Sequence, residues 1–202
     1  MSQLKHSIAI AVLYALTLPV ILGGLAKVQT LSTPPNSAAD WTLQRYLDNP
    51  IASLLHIIAG LVFLLIGPLQ FLPYLRHRFR ALHRLFGRVF IVSGVISAVA
   101  VIWMVFAFPA VGGGLTQVAT TAINLMMIGF LVDAWQNARN RRFAQHRSSM
   151  IRAYAIGLSV STARIFIHAA EWGLDLPFEA SFTGASVIGV ALNVIVAEWA
   201  IR

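Results

Sequence analysis

The chain of 202 residues contains no cysteine. Disulfide bonds, iron–sulfur clusters and thiolate zinc sites are therefore excluded, because each of them needs cysteine sulfur. Charged residues are also scarce, at 11% of the chain, and only 7 residues are acidic against 15 lysines and arginines. Average proteins carry about 25% charged residues. This shortage of charge excludes an ordinary water-soluble domain.

Long apolar runs take the place of the missing charge. Hydrophobic residues make up 58% of the chain, and the mean hydropathy is +0.76. A helix of about 20 apolar residues crosses the hydrocarbon core of a bilayer. Six runs of this kind predict spans at about residues 6–27, 50–75, 82–108, 115–137, 148–172 and 183–201. The expected fold is an all-α integral membrane protein, a single domain over 1–202, with its second to fifth helices as the central bundle.

The positive charge is concentrated in two short stretches between predicted spans. Arg76–Arg88 holds five arginines and two histidines, and Arg139–Arg152 holds five arginines and one histidine. Loops rich in lysine and arginine stay in the cytoplasm. An even number of spans, six, then places both termini in the cytoplasm. The membrane is expected to be a bacterial inner membrane. Basic loops in this position favour anionic lipid headgroups, rather than nucleic acid, as their partners.

Several polar side chains fall within the predicted spans, where an unpaired charge costs roughly 2.5 to 3.5 kcal/mol on insertion scales. His56, Arg164 and His168 lie at similar depths near the outer ends of their helices. His83 and His146 each open a helix at the cytoplasmic rim. A b-type haem takes one imidazole on each side of its iron and an arginine for its propionates. These five residues are therefore the candidate cofactor-binding residues. His56 and His168, with Arg164, would form an outer haem site, and His83 and His146 would form an inner one.

The same five residues have other interpretations. The outer group can be a hydrogen-bonded core that offsets the charge of Arg164, and the inner histidines can be rim residues that contact lipid. A transport path or a metal site is a further alternative.

A second polar set lies near the cytoplasmic boundary and is predicted to form structural ion pairs. Its members are Arg88, Asp133, Arg152 and Glu198. Asp133 is expected to pair with Arg88 or Arg152, because an unpaired carboxylate at this depth would become neutral instead.

No nucleophile–base pair, phosphate loop or metalloprotease motif is found in the sequence, so no enzymatic activity is assigned. The favoured hypothesis is a haem b-binding electron-transfer protein. One alternative is a small transporter or channel whose polar path uses Arg164, Asn124, Asn193 and the histidines. Another is an accessory or assembly subunit that packs in a homo-oligomer or a larger membrane complex.

Several short motifs are distributed along the chain from about His56 to Glu198. They are His56 with Gly60, Gly67-Pro68-Leu69-Gln70-Phe71, Leu82-His83-Arg84 with Gly87-Arg88, Gly113-Gly114, His146-Arg147 with Met150-Ile151-Arg152, Arg164, and Asn193 with Val196-Ala197-Glu198. With these motifs the chain resembles a family of bacterial predicted membrane proteins catalogued as a domain of unknown function. The resemblance implies a multi-helix inner-membrane protein and no particular activity.

Two positions depart from the pattern of that family. Ser149 stands where the pattern has a tryptophan, and His168 lies outside the pattern. By architecture alone, the predicted bundle is also similar to the four-helix di-haem cytochromes of the b561 kind.

The predicted topology can be tested by single-cysteine labelling, since the chain has no cysteine of its own. A Ser148→Cys variant should react with a membrane-impermeant maleimide only after permeabilisation, because its loop is cytoplasmic. A Ser37→Cys variant should react in intact cells. The reverse pattern of labelling would contradict the orientation.

Overall fold

The computed structural model describes residues 3–33, 41–108 and 111–202, and all its regular elements are α-helices. Position 37, in the predicted external loop, lies outside these residues. The helices are α1 (Gln3–Ser32), α2 (Trp41–Asp48), α3 (Pro50–Gln70), α4 (Pro73–Arg78), α5 (Arg80–Ala107), α6 (Gly113–Arg139), α7 (Phe143–Leu174) and α8 (Phe178–Ile201). Six of them, all except α2 and α4, are long and apolar enough to cross a membrane. The predicted all-α fold with six spans is confirmed.

Prolines set both ends of α3. Pro50 occupies the first turn, where its missing N–H removes no helical hydrogen bond. The helix ends at Gln70, although the sequence predicted a span to residue 75. The reason is Pro73, which holds the preceding Leu72 in an extended conformation and starts the short helix α4. The basic stretch therefore begins on a separate helix at the end of the bundle.

Four helices form the centre of the molecule. α3 packs on α5, α5 on α6, α6 on α7, and α7 returns to α3. α5 and α7 therefore lie diagonally across the bundle. α1 covers α3 and α7 from outside, and α8 packs along α7. The central bundle is built from the second to fifth spans, as the sequence predicted.

Three aromatic rings fill the middle of this bundle. Phe63 of α3 stacks on Phe90 of α5 with 4.3 Å between ring centroids, and Tyr154 of α7 lies 5.9 Å from Phe63. Phe90 is completely buried. Glycines make room for the rings, because a Cβ atom on Gly157 would lie 2.3 Å from the Phe63 ring. The interior of the bundle at this level is therefore filled by aromatic rings.

We define the basic end as the end where α4 lies and where α5 and α7 begin. The far end is the opposite one, which carries α2 and the first turn of α3. Whether the basic end faces the cytoplasm stays a prediction.

The contact between α7 and α8 depends on small residues. A Cβ atom on Gly189 of α8 would lie 3.0 Å from the backbone nitrogen of Ala163 and 3.1 Å from the carbonyl oxygen of Ser159. Small residues let two membrane helices approach closely. Asn193, one turn further along α8, donates a hydrogen bond to the carbonyl of Ala155, and its amide oxygen accepts one from Thr162.

This close approach predicts a difference between two glycines of the same helix. Gly189→Ala should lower the midpoint of thermal unfolding in detergent, because the new methyl group meets backbone atoms that cannot rotate away; overpacking costs about 1–3 kcal/mol. Gly184→Ala is the control, since no atom lies within 4 Å of its Cβ position. Equal midpoints for the two variants would contradict the close crossing.

Candidate functional site at the basic end

Two predicted site histidines meet at the basic end. His83 lies in the first turn of α5, and His146 lies in the first turn of α7. Although α5 and α7 are diagonal helices, the two imidazoles are within electrostatic range of each other. The structure therefore brings together the two basic stretches of the sequence.

One hydrogen bond determines which ring nitrogen of His146 carries the proton. Its Nδ1 lies 2.8 Å from the carbonyl oxygen of Ala134 on α6. A carbonyl oxygen can only accept, so Nδ1 is the donor. In the neutral ring the lone pair is then on Nε2, which is the nitrogen available to a ligand.

Two buried polar atoms at this end have no hydrogen-bond partner among the described residues. They are the amide nitrogen of Gln70, whose side chain is 8% exposed, and Nδ1 of His83. Gln70 lies against α5, because a Cβ atom on Gly87 would be 3.2 Å from its amide oxygen. Gly87 is about one helical turn from His83. Buried polar atoms are seldom left unpaired, so these two atoms are candidates for contact with a ligand.

The electrostatic surroundings of His83 are basic. The charged groups that act on it are His146 and Arg76. The first turns of α5 and α7 add backbone N–H groups and the positive ends of two helix dipoles. The basic end is therefore a place where a negative charge is stabilised.

The predicted ion-pair residues also lie at the basic end. Arg152 of α7 makes a two-pronged contact with Glu198 of α8, with Nε–Oε1 at 2.5 Å and Nη2–Oε2 at 2.9 Å. The carboxylate of Asp133 instead accepts a hydrogen bond from the hydroxyl of Ser149, across the α6–α7 contact. Asp133 and Arg152 line a common cleft of about 480 Å³. No ion pair to Arg88 forms within residues 3–33, 41–108 and 111–202.

His56 is engaged within the bundle, between α3 and α5. Its Nδ1 lies 3.1 Å from the carbonyl oxygen of Ser97 and 3.0 Å from the hydroxyl of the same residue. The hydroxyl of Ser97 in turn donates to the carbonyl of His56. These reciprocal bonds join α3 to α5 in the far half of the bundle.

The other two outer candidates take different partners. His168 contacts Glu171 at 3.0 Å and stacks on Trp172, both on its own helix, and its side chain is 54% exposed. Arg164 is accessible at the surface of α7 but partly enclosed by its neighbours, and Tyr46 of α2 acts on it electrostatically. Among the described residues, none of the three outer side chains is hydrogen-bonded to another of them.

These contacts do not support a haem in the far half. Two axial imidazoles must point at one iron, whereas His56 is bonded to α5 and His168 is bonded along its own helix. Between the two ends, the rings of Phe63, Phe90 and Tyr154 occupy the bundle interior. Within the described part of the chain, no group of three or more histidine or acidic side chains could hold a metal ion.

Four contributing residues were not predicted as partners: Gln70, Ser97, Ser149 and Tyr46. Gln70 belongs to a quoted motif, and Ser149 is a departure from the family pattern, so both stood out in the sequence without a role. The partners of Ser97 and Tyr46 depend on how helices pack, which the sequence does not show.

The fold and the basic end define a polytopic α-helical membrane protein with a polar site at one end of a four-helix bundle. A family model described as "Predicted membrane protein (DUF2306)" matches residues 53–201, which include most of α3 and all of α4–α8. The chain therefore belongs to this family, and the predicted family is confirmed. No curated protein and no solved structure matches the chain. The likeness to b561 cytochromes stays a prediction.

The contact between Arg152 and Glu198 predicts the result of a charge swap. Glu198→Gln should lower the thermal unfolding midpoint in detergent, because it leaves the guanidinium without its anion. The double variant Arg152→Glu with Glu198→Arg should recover part of that loss. Asp175→Asn, at an exposed carboxylate in the turn before α8, is the matched control and should have no effect. A swap no better than the single variant would contradict the pairing.

Proposed function

We propose that the protein binds an anionic ligand through the oxygen atoms of that ligand, in a site formed by Gln70, His83, His146 and Arg76. We further propose that this site faces the cytoplasm from a bacterial inner membrane. The carrying observation is that the amide nitrogen of Gln70 and Nδ1 of His83 are buried and have no hydrogen-bond partner among the described residues, while the side chains that act on His83 are the basic groups His146 and Arg76.

The chemistry of the side chains supports an oxygen-bearing anion. The amide nitrogen of Gln70 has two N–H groups and needs an acceptor, and a guanidinium such as that of Arg76 only donates. An imidazole that takes up a proton donates from both nitrogens. Phosphate and carboxylate groups supply the acceptors and the negative charge that this set lacks.

Two sources offer the same chemistry. An anionic lipid brings a phosphate to the membrane surface, where a basic segment gains about 1 kcal/mol per lysine or arginine. A soluble anion brings its phosphate or carboxylate from the water. Both reach the basic end, because His83 and His146 lie at the ends of their helices.

The proposal is tested by thermal unfolding of the purified protein in detergent at constant ionic strength. Phosphatidylglycerol, phosphatidylcholine or inorganic phosphate is added to each sample. A ligand at 100 times its Kd stabilises the folded state by about 2.7 kcal/mol. The midpoint should rise with phosphatidylglycerol or with phosphate, and not with phosphatidylcholine. A response to phosphatidylglycerol alone identifies the lipid, and a response to phosphate identifies a soluble anion.

Variants locate the effect. The rise induced by inorganic phosphate should be lost in His83→Ala and in Gln70→Ala, and the rise induced by phosphatidylglycerol should become smaller in both. Both rises should be kept in Arg84→Gln, which removes an exposed charge next to His83. No rise in the native protein, or an equal rise in His83→Ala, would contradict the proposal.

An absorption spectrum of the same preparation, oxidised and then reduced with dithionite, examines the alternative ligand. If haem bands are present and disappear in both His83→Ala and His146→Ala, the ligand is a haem between these two imidazoles and not an anion. A featureless spectrum is the expected result.

A further inference from the structure

We propose that a groove between α3 and α5 holds one acyl chain of an anionic glycerophospholipid, and that the phosphate of this lipid binds Arg88. This site is separate from the anion site around His83, and it does not rest on that proposal.

The groove lies on the outer side of the α3–α5 contact and has a volume of about 630 Å³. Its walls are large apolar side chains, including Leu55 and Ile58 of α3 and Val92 of α5. Ala59 and Ser93 are buried and form its floor. The hydroxyl of Ser93 donates to the carbonyl of Phe90, so it needs no further partner. The floor and walls therefore suit a hydrocarbon chain.

The length of the groove also suits a lipid chain. On α3 the lining runs from Ile51 to Val62. Eleven residues of helix rise about 17 Å. One leaflet supplies about half of a hydrocarbon core that is about 30 Å thick. An extended acyl chain is about as long as one leaflet is thick, so a chain that starts beside Arg88 can follow the groove past the middle of α3 toward Ile51.

Arg88 gives the groove its preference for an anion. It is the one charged residue in the lining, and its side chain is exposed. It follows Gly87, which contacts Gln70 at the last turn of α3, so it lies toward the basic end. Among the described residues Arg88 forms no ion pair. A guanidinium binds phosphate with two parallel hydrogen bonds, which an ester-linked headgroup phosphate can accept.

The two sites lie on different faces of α5. His83 and Arg88 are five residues apart, which at 3.6 residues per turn places them about 140° apart around the helix. Loss of one site should leave the other intact, so each proposal can fail without the other.

Photo-crosslinking in lipid vesicles tests the groove. Phosphatidylglycerol carrying a diazirine in its acyl chain is mixed at low content into phosphatidylcholine vesicles that contain the protein. Label should concentrate on the peptides of α3 and α5 that line the groove. It should fall about tenfold in Arg88→Gln, because one charge-assisted contact is lost, and stay unchanged in Arg84→Gln.

A second variant fills the groove without touching the core. Val92→Trp places a large ring at a wall position that is 57% exposed, and it should also abolish the concentrated label. Ile195→Trp is the matched control on α8, where the side chain is 65% exposed. Equal labelling by the corresponding phosphatidylcholine probe, or label that survives both Arg88→Gln and Val92→Trp, would overturn the proposal.

Discussion

The structure depends on one constraint, which is that polar groups in hydrocarbon must find partners within the protein. The helices satisfy their own backbones, and the polar side chains then decide which helices meet. His56 and Ser97 join α3 to α5 through reciprocal hydrogen bonds. Asn193 joins α8 to α7, and Arg152 with Glu198 repeats that connection at the basic end. Each contact satisfies a polar group and also fixes the register of two helices.

The aromatic centre limits which functions the bundle can support. Phe63, Phe90 and Tyr154 pack between the two ends. Two of the residues predicted for a transport path have local partners: Asn124 donates to the carbonyl of Thr120 on its own helix, and Asn193 bonds to α7. Arg164, the third, is exposed near α2. The polar residues between the ends are thus occupied by partners, whereas buried atoms of Gln70 and His83 have none among the described residues, which makes the basic end the better candidate.

The sequence was sufficient for those parts of the fold that depend on local physics. Apolar runs predicted six spans, and Pro50 marked the start of α3. The contacts of His168 with Glu171 and Trp172 are three and four residues away, so helical spacing alone could have predicted them, although they were not predicted. The end of α3 at Gln70 was not predicted, because the apolar run continues to residue 75 and hides the break that Pro73 imposes at Leu72.

Contacts between different helices could not be predicted from the sequence, because they depend on how the helices pack. Asp133 is hydrogen-bonded to Ser149 and also acts electrostatically on Arg152, and both contacts depend on the register of α6 against α7. The approach of Gln70 to Gly87 likewise depends on how α3 crosses α5. The sequence paired His83 with His146 by depth, because both open a helix after a basic turn. The electrostatic environment of the two histidines depends on how the helices pack, so the sequence alone does not predict it.

The central claim is that diagonal packing of α5 and α7 brings His83 and His146 together at the basic end. Cysteine crosslinking tests it directly on this cysteine-free chain. A short bis-maleimide should link the two positions within one molecule in the variant His83→Cys with His146→Cys. It should not link the variant His83→Cys with His168→Cys, whose second position lies near the other end of α7. Failure of the first pair to crosslink, or equal crosslinking of both pairs, would contradict the account.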